Sequence, residues 1–445
     1  MEDGKMREYK DKSWWLGASP YHEAPPLAED LEVDVCIIGG GFTGLSSAYY
    51  IKKKQPGLSI AVLENEVVGY GASGRNGGFS MPLLGWNITY LVWAFGVERA
   101  RPAHQYMLQC VKRTRELVEA ENIDCDLEYN GLLVLAHNQF QFRGLEHDFE
   151  NYHKVGCDDV ALLDKTALKD RLNTAFHVGA LYEPDTCILN PAKLARGMRA
   201  AVERLGVRVF ERTPVERFDP GREVIVHTPK ARVKSKYLVL ATNAFTVRLK
   251  VNKGWYVPMF TYIIMTEPLD DKHYRELGWV RREGIEDRRQ LVHYLRLTAD
   301  NRLVFGGRDA PYYYGNKCED RDSHQKIFAG LEKDMKEFFP MLSDVRITHR
   351  WGGPVAITGF FVPKFSYYQD YRNIAYGMGY CGHGVALSTS AGLIIHDLLF
   401  DPDSELTKFL FVHNMQMTLP PEPFRWLFVH AIKDGLRLFD YLTEL

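Results

Sequence analysis

The segment Asp34-Val-Cys-Ile-Ile-Gly-Gly-Gly-Phe-Thr-Gly44 constrains this chain more than any other. Val35 to Ile38 is a short apolar run that reads as a buried parallel strand. It opens directly into Gly39-x-Gly41-x-x-Gly44, whose intervening Phe42 and Thr43 are cofactor-binding candidates with the glycines, and a helix-like stretch follows. A second apolar strand, Ser59-Ile-Ala-Val-Leu-Glu64, then ends in an acid twenty residues after Gly44. A glycine triplet alone says little, but strand, helix and acid at these spacings form the fingerprint of a dinucleotide-binding βαβ unit. Gly39 permits the tight turn, Gly41 lets a pyrophosphate approach the backbone, and Gly44 lets helix and strand pack closely. The helix N-terminus offers free N–H groups and a positive dipole end to the phosphates.

Glu64 suits ribose hydroxyls and would repel a 2′-phosphate, which disfavours NADP and leaves NAD and FAD. The next segment separates these two. Gly71-Ala-Ser-Gly-Arg-Asn-Gly-Gly78 is poor in side chains where a nicotinamide fold would continue into its next helix. Such backbone can thread beside a large flat ring, which favours FAD. A second glycine cluster, Tyr376-Gly-Met-Gly-Tyr-Cys-Gly-His-Gly-Val385, precedes a helical pattern from Ala386 to Leu399. A plain strand-to-helix turn needs one glycine, and this one has four. Backbone N–H groups backed by a helix dipole suit the pyrimidine edge of a flavin, which gains negative charge on reduction. His383 within it is a flavin or substrate neighbour, with a proton-transfer role left open.

The 445 residues are enough for two or three domains, and a formal charge of −2 gives no electrostatic case for a nucleic-acid partner. Seven scattered cysteines without a CxxC pair argue against a disulfide framework and against a metal site, and fit a reducing, cytoplasmic compartment. The charged N-terminus has no apolar stretch of signal-peptide type. Met81 to Gly96, the most apolar region, is broken by Pro82, Gly85 and Asn87 and is too short to span a bilayer.

Residues 1–30 read as an extended lead-in anchored by Trp14-Trp15. Helical pattern dominates 81–185, with Glu98 to Glu121 the clearest example, and Asn190-Pro191 caps and starts a further helix to about Arg204. Strands follow at Gly206–Phe210, Glu223–His227 and Tyr237–Ala241. Between 250 and 345, Phe260–Thr266, Gln290–Leu297 and Arg302–Gly306 read as strands, the last two as a hairpin about Asp300-Asn301. The expected fold is α/β: a Rossmann-type nucleotide-binding domain (31–80, 186–250 and 346–400) interleaved with an α+β substrate domain on a mixed, largely antiparallel sheet (81–185 and 251–345). A C-terminal amphipathic helical tail occupies 401–445. In it Phe424, Leu427, Phe428, Ala431, Leu438, Phe439 and Leu442 recur at helical spacing, a stripe that normally docks on the protein's own surface. A dimer or membrane contact is the lesser alternative.

These segments, together with ILNPAKLARGMRAAVERLGVRVFERTPV, YLVLATNAF, RLVFGGR, RWGGPVAIT and GYCGHGVAL, resemble the D-amino-acid-oxidase-like flavoprotein superfamily over about 31–400. The pair GASGRNGG and GHGVAL looks most like its γ-glutamylputrescine oxidoreductase branch, with glycine and sarcosine oxidases more distant. The resemblance implies FAD, an FAD domain built from three chain segments, and oxidation of an amine or amino acid. It implies that Gly39, Gly41 and Gly44 cradle the pyrophosphate and that Glu64 holds the ribose. Ser73, Arg75, Asn76 and Gly77 would lie near the flavin ring, Val215 on the adenine side, and Thr242 in the second phosphate-side loop. Gly382, His383, Gly384 and Val385 would meet the pyrimidine edge. Cys381 is not in the motif position of the covalent sarcosine oxidases, so non-covalent FAD is expected.

Amine oxidation of this kind is hydride transfer from a carbon bearing a neutral nitrogen, for which a strong base is not essential. Tyr262, Tyr294, Arg296 and Arg350 are the substrate-side candidates, either arginine being able to clamp a carboxylate through two hydrogen bonds. The partners expected are a small amine or amino acid and dioxygen or another electron acceptor. The competing readings are a membrane-associated amino-acid dehydrogenase or deaminase feeding a quinone chain, an interaction protein holding FAD without catalysis, and a nucleic-acid modifier, which the near-neutral charge disfavours.

Overall fold

The computed structural model of the chain describes residues 8–251, 254–319 and 321–444. The first seven residues of the charged N-terminus and Leu445 lie outside the described residues. The fingerprint strand, Leu31–Ile38, lies at the centre of the first sheet, parallel to Ile60–Leu63 on one side and Arg232–Leu240 on the other. Arg208–Phe210 and Tyr371–Met378 extend the parallel set, and Lys364–Tyr368 closes one edge antiparallel. The apolar runs read from sequence are therefore central strands covered on both faces. The fingerprint helix, Phe42–Lys54, and the helices Pro191–Arg204 and Val385–Phe400 pack over one face.

Val385–Phe400 crosses the fingerprint helix at unusually close range. A Cβ on Gly392 would stand 2.0 Å from the Ser46 carbonyl oxygen. Gly392 N–H donates to Ser46 Oγ at 3.0 Å, and Ser46 Oγ donates to the Ser388 carbonyl at 2.8 Å. The crossing fixes where both helices begin, and both begin at the same cleft.

The second sheet runs in the order Ile347–Thr358, Tyr256–Pro268, Arg302–Gly307, His293–Leu297, Gly284–Asp287, Leu132–Ala136, Gly179–Glu183, Ala161–Asp164. Every pairing is antiparallel except Gly284–Asp287 with Leu132–Ala136, so the sheet is mixed and largely antiparallel. The expected hairpin forms, with Asn301 in the left-handed region at φ +59°. One expected boundary moves. Ile347–Thr358 pairs along its length with Tyr256–Pro268, so this strand belongs to the second sheet and the chain returns to the first only at Lys364.

The lead-in is held by buried polar contacts as well as by Trp15 burial. Glu211, wholly buried, accepts hydrogen bonds from Tyr21 Oη and from the N–H groups of Ala24 and Val68, each at 2.5 Å.

The tail forms a helix, Phe424–Glu444, that docks through its polar side. Lys433 and Arg437 pair with Asp309 at 3.2 and 2.5 Å, Arg289 pairs with Glu444, and Asp440 accepts from the N–H groups of Gln290 and Leu291 at 2.8 and 3.0 Å. Phe424, Leu427, Phe428, Ile432, Leu438, Phe439 and Leu442 are exposed. The stripe expected to face the protein therefore points outward, because backbone donors and paired charges on this part of the surface hold the polar side inward. Among the described residues, no helix is long and apolar enough to cross a membrane.

Gly392→Val should separate the two cleft helices, since a branched side chain cannot fit against the Ser46 carbonyl. Overpacking of this kind costs about 1–3 kcal/mol, so differential scanning fluorimetry should show a lower Tm and the purified variant a lower flavin content than the parent.

Candidate functional site

One cleft joins the two glycine-rich turns. At one end it is lined by Gly39, Gly41, Phe42, Thr43, Glu64 and Val215, and at the other by Pro354–Ala356 and by Tyr380, Cys381, Gly382, Gly384 and Val385. Ser73, Asn76 and Thr242 line it between these ends. Gly44, Arg75, Gly77 and His383 adjoin lining residues in the chain but are not themselves part of the lining.

Gly39 has φ +110°, and a Cβ there would lie 2.6 Å from the Ala241 carbonyl oxygen. A Cβ on Gly44 would lie 1.9 Å from the Gly39 carbonyl oxygen, so helix and turn can touch only through glycine. Gly41 caps the fingerprint helix without a side chain of its own, and Ser73 Oγ from the second glycine-rich segment stands beside the helix end. Glu64 accepts from the N–H groups of Gly40 at 2.7 Å and Glu66 at 2.9 Å. Burial nonetheless pushes its carboxyl up to about 7. The glycine-rich segment after it is rigid: Ser73 Oγ accepts from the Phe42 N–H at 3.0 Å, and Asn76 Oδ1 accepts from the Gly78 N–H at 2.7 Å.

Arg75 is a strut. Its guanidinium donates to the Tyr70 carbonyl at 2.7 Å, pairs with Asp322 at 2.8 Å and stacks over the Tyr70 ring. At the far end Tyr380 Oη and Thr43 Oγ1 are 2.7 Å apart, a bond that ties the two glycine-rich turns together. Gly384 caps the Val385–Phe400 helix, with no side-chain hydrogen bond from the cap. The Cys381 thiol donates to the Gly379 carbonyl at 3.1 Å, and burial raises its pKa to about 11. A thiol so placed is a poor nucleophile.

The substrate-side candidates divide by strand alternation. Tyr294 and Glu286 are directly paired across neighbouring strands of the second sheet and project to the side facing the cleft. The Tyr294 ring packs edge-on against Phe79 at 6.2 Å, and a Cβ on Gly77 would meet it at 3.1 Å. Tyr262 and Arg350 lie on the opposite face. Tyr262 belongs to the core beneath the helix Gln325–Phe338 and bonds Tyr313 Oη at 2.8 Å, while Arg350 pairs with Glu332 on that helix at 3.2 Å. The period of two in a strand thus removes both from the cleft. Arg296 is on the cleft-facing side but is buried and committed, donating to the Leu189 carbonyl at 2.6 Å and the Leu297 carbonyl at 3.1 Å. Desolvation lowers it to about 10. It supports the Gly77–Gly78 turn rather than reaching the cleft.

His383 is brought to this face from the glycine-rich loop. Desolvation lowers its pKa to about 4, so the ring is neutral at neutral pH. Its Nε2 lies 4.0 Å from Glu286 Oε1. Glu286 was not foreseen from the sequence, although an acid inside an otherwise apolar strand (Gly284-Ile-Glu-Asp287) is a detectable oddity.

The FAD dependent oxidoreductase family (DAO) matches residues 34–398 of this chain. The chain belongs to that family. It is an FAD-dependent oxidoreductase, and the two glycine-capped helix ends, the glycine cradle and Glu64 in the cleft wall fit the cofactor. The oxidoreductase is 33% identical to gamma-glutamylputrescine oxidoreductase of Escherichia coli (strain K12) over 424 residues, covering 93% of this chain and 96% of the relative. It is 33% identical to the probable oxidoreductase OrdL of Haemophilus influenzae, covering 86% and 87%. Among solved structures, glycine oxidase from Geobacillus kaustophilus superposes with a TM-score of 0.71 at 19% identity, covering 86% of this chain and 100% of that one. L-amino acid deaminase from Proteus myxofaciens gives 0.71 at 15% identity, covering 89% and 96%. At such identities the likeness is one of fold.

With Cys381 turned to the Gly379 carbonyl, acid precipitation of the purified oxidoreductase should leave yellow FAD in the supernatant. Flavin that stays with the precipitated chain would overturn this. Gly41→Val puts a branched side chain into space where Ser73 Oγ already stands 2.9 Å from an added Cβ. The variant should purify without flavin, which the ratio of visible to 280 nm absorbance reads directly.

Proposed function

We propose that the protein oxidises a carbon–nitrogen bond of a small amine, giving an imine that water hydrolyses to a carbonyl compound and an amine or ammonia. The observation that carries this reading is the single cleft in which two glycine-rich turns, each opening the N-terminus of a helix, meet the inner face of the second sheet. FAD, when bound, supplies the acceptor for two electrons and a hydrogen. Gly39, Gly41, Phe42 and Thr43 would hold its pyrophosphate, Glu64 its ribose and Val215 the adenine side. Ser73, Asn76 and Gly77 would flank the ring. The N–H groups of Gly382, Gly384 and Val385, with the dipole of the helix behind them, would stabilise negative charge growing at the pyrimidine edge, while the His383 N–H is held by the Tyr380 carbonyl. His383, neutral in its buried position, adds hydrogen bonding but no charge there. Tyr294 and Phe79 wall the space in front, excluding water from the reacting carbon.

The relative acting on γ-glutamylputrescine supports an amine rather than an α-amino acid, and so does the commitment of Arg296 and Arg350 to other partners. A second reading rests on the outward apolar stripe of the C-terminal helix: a dehydrogenase lying on a membrane and passing electrons to a quinone. Reoxidation of the reduced protein by air, compared with reoxidation by a soluble quinone, separates the two.

Anaerobic stopped-flow mixing with γ-glutamylated amines, simple diamines, glycine-like acids and 2-hydroxy acids should bleach the flavin with amines. Only neutral nitrogen can support hydride loss, so at low substrate the rate should climb about tenfold per pH unit through the neutral range, well below the amine pKa. Bleaching by 2-hydroxy acids alone would overturn the proposal. His383→Ala should slow reduction while FAD, gripped at the other end of the cleft, stays bound.

A further inference from the structure

Glu286 occupies an odd position for an acid. It lies in the interior of the strand Gly284–Asp287, with its side chain on the cleft-facing side, where Gly284 packs under Phe79 and Tyr294 stands directly opposite. Its side chain is only 12% exposed, yet among the described residues its carboxyl makes no hydrogen bond. His383 Nε2 stands 4.0 Å from it, too long for a direct bond, and the other ring nitrogen of His383 is buried without a hydrogen-bond partner. Among the described residues no lysine or arginine pairs with Glu286, and Arg296, two residues beyond Tyr294, is turned to the Leu189 carbonyl. The remaining titratable groups around it are Glu183 on the strand Gly179–Glu183, Tyr294, and Asp287 next in the chain on the opposite face. None brings positive charge to this side. An enclosed carboxylate without a partner costs several kcal/mol, and such a group in a cleft marks a ligand contact.

We propose that Glu286 binds the reacting nitrogen of the substrate, receiving it as an ammonium and taking its proton before oxidation. This rests on the amine reading above and narrows it to amines whose reacting carbon carries no carboxylate, since a second anion at this position would face Glu286 and Glu183 with no cation to offset it. The proton passes from nitrogen to a Glu286 carboxylate oxygen. The lone pair so freed would form the C=N bond as the C–H electron pair left with its hydrogen, for which oxidised FAD, when bound, would be the two-electron acceptor. Burial and the nearby charge of Glu183 raise the Glu286 carboxyl to about 8, which brings its proton affinity close to that of an alkylamine. His383, on the other side of the 4.0 Å gap, lies where it can orient the same nitrogen.

The test uses the oxidised holoenzyme and tert-alkyl amines of increasing chain length, which have no hydrogen on the carbon bearing nitrogen and so bind without reacting. Perturbation of the flavin absorbance gives their Kd at neutral pH. Glu286→Gln should raise it by about tenfold or more, since a charge-assisted hydrogen bond is lost, with FAD content and Tm held. Glu286→Asp keeps the charge and should raise it less. With an oxidisable amine at low concentration, the rising limb of flavin reduction should level off near pH 8 in the parent and continue towards the amine's own pKa, about 10, in Glu286→Gln. Equal Kd values and coincident profiles in parent and Glu286→Gln, with amines still bleaching both, would overturn the assignment of Glu286 alone. A shift of the ligand-free flavin spectrum with no change in amine Kd would make Glu286 a flavin contact and overturn it too. Failure of the parent to bind or be bleached by any amine would instead remove the amine reading itself.

Discussion

Close approach of backbone to backbone governs this structure. Gly44 touches the Gly39 carbonyl and Gly392 touches the Ser46 carbonyl at distances where a Cβ would lie 1.9 and 2.0 Å from oxygen. The first contact seats the fingerprint helix on its strand, and the second seats the C-terminal glycine-loop helix on the fingerprint helix. Two helix N-termini, distant in sequence, therefore open into one cleft. The Thr43–Tyr380 bond at 2.7 Å closes the same junction from the side. The shape of the cleft thus rests on two glycines.

The second sheet is the wall facing that cleft, and its alternation sorts the candidate residues. Tyr294 and Glu286 are cross-strand partners and face inward; Tyr262 and Arg350, one position out of phase, pack against or over the helix on the other side. Arg75 and Arg296 show a related point. Both are buried beside the cleft, but Arg75 is spent on the Tyr70 carbonyl and Asp322, and Arg296 on the Leu189 and Leu297 carbonyls. What this face of the sheet turns towards Gly77 and His383 is acidic and aromatic, in Glu286 and Tyr294.

The C-terminal helix reverses the usual orientation of an amphipathic segment. Lys433, Arg437, Asp440 and Glu444 meet complementary partners on the rim of the second sheet, and the apolar residues between them face outward. Hydrophobic periodicity established that a helix forms there. It could not decide which side faces the protein, because that depends on the backbone donors of Gln290 and Leu291 and on the charge of Asp309.

Local chemistry made much of this protein legible before any coordinates. Glycine spacing after an apolar strand, an acid twenty residues on, the Asn190-Pro191 cap, the Asp300-Asn301 turn and the second glycine cluster each act within a few residues of chain, so the sequence alone determined the nucleotide-binding unit, the hairpin and the identity of the cleft-lining loops. Only the tertiary structure decided that Ile347–Thr358 joins the second sheet, that Arg296 and Arg350 are occupied elsewhere, and that Glu286 stands across from His383. Those outcomes turn on register and on which face of a sheet meets another domain. A shift of one residue would exchange every inward side chain for its neighbour, and nothing local to a strand records that choice.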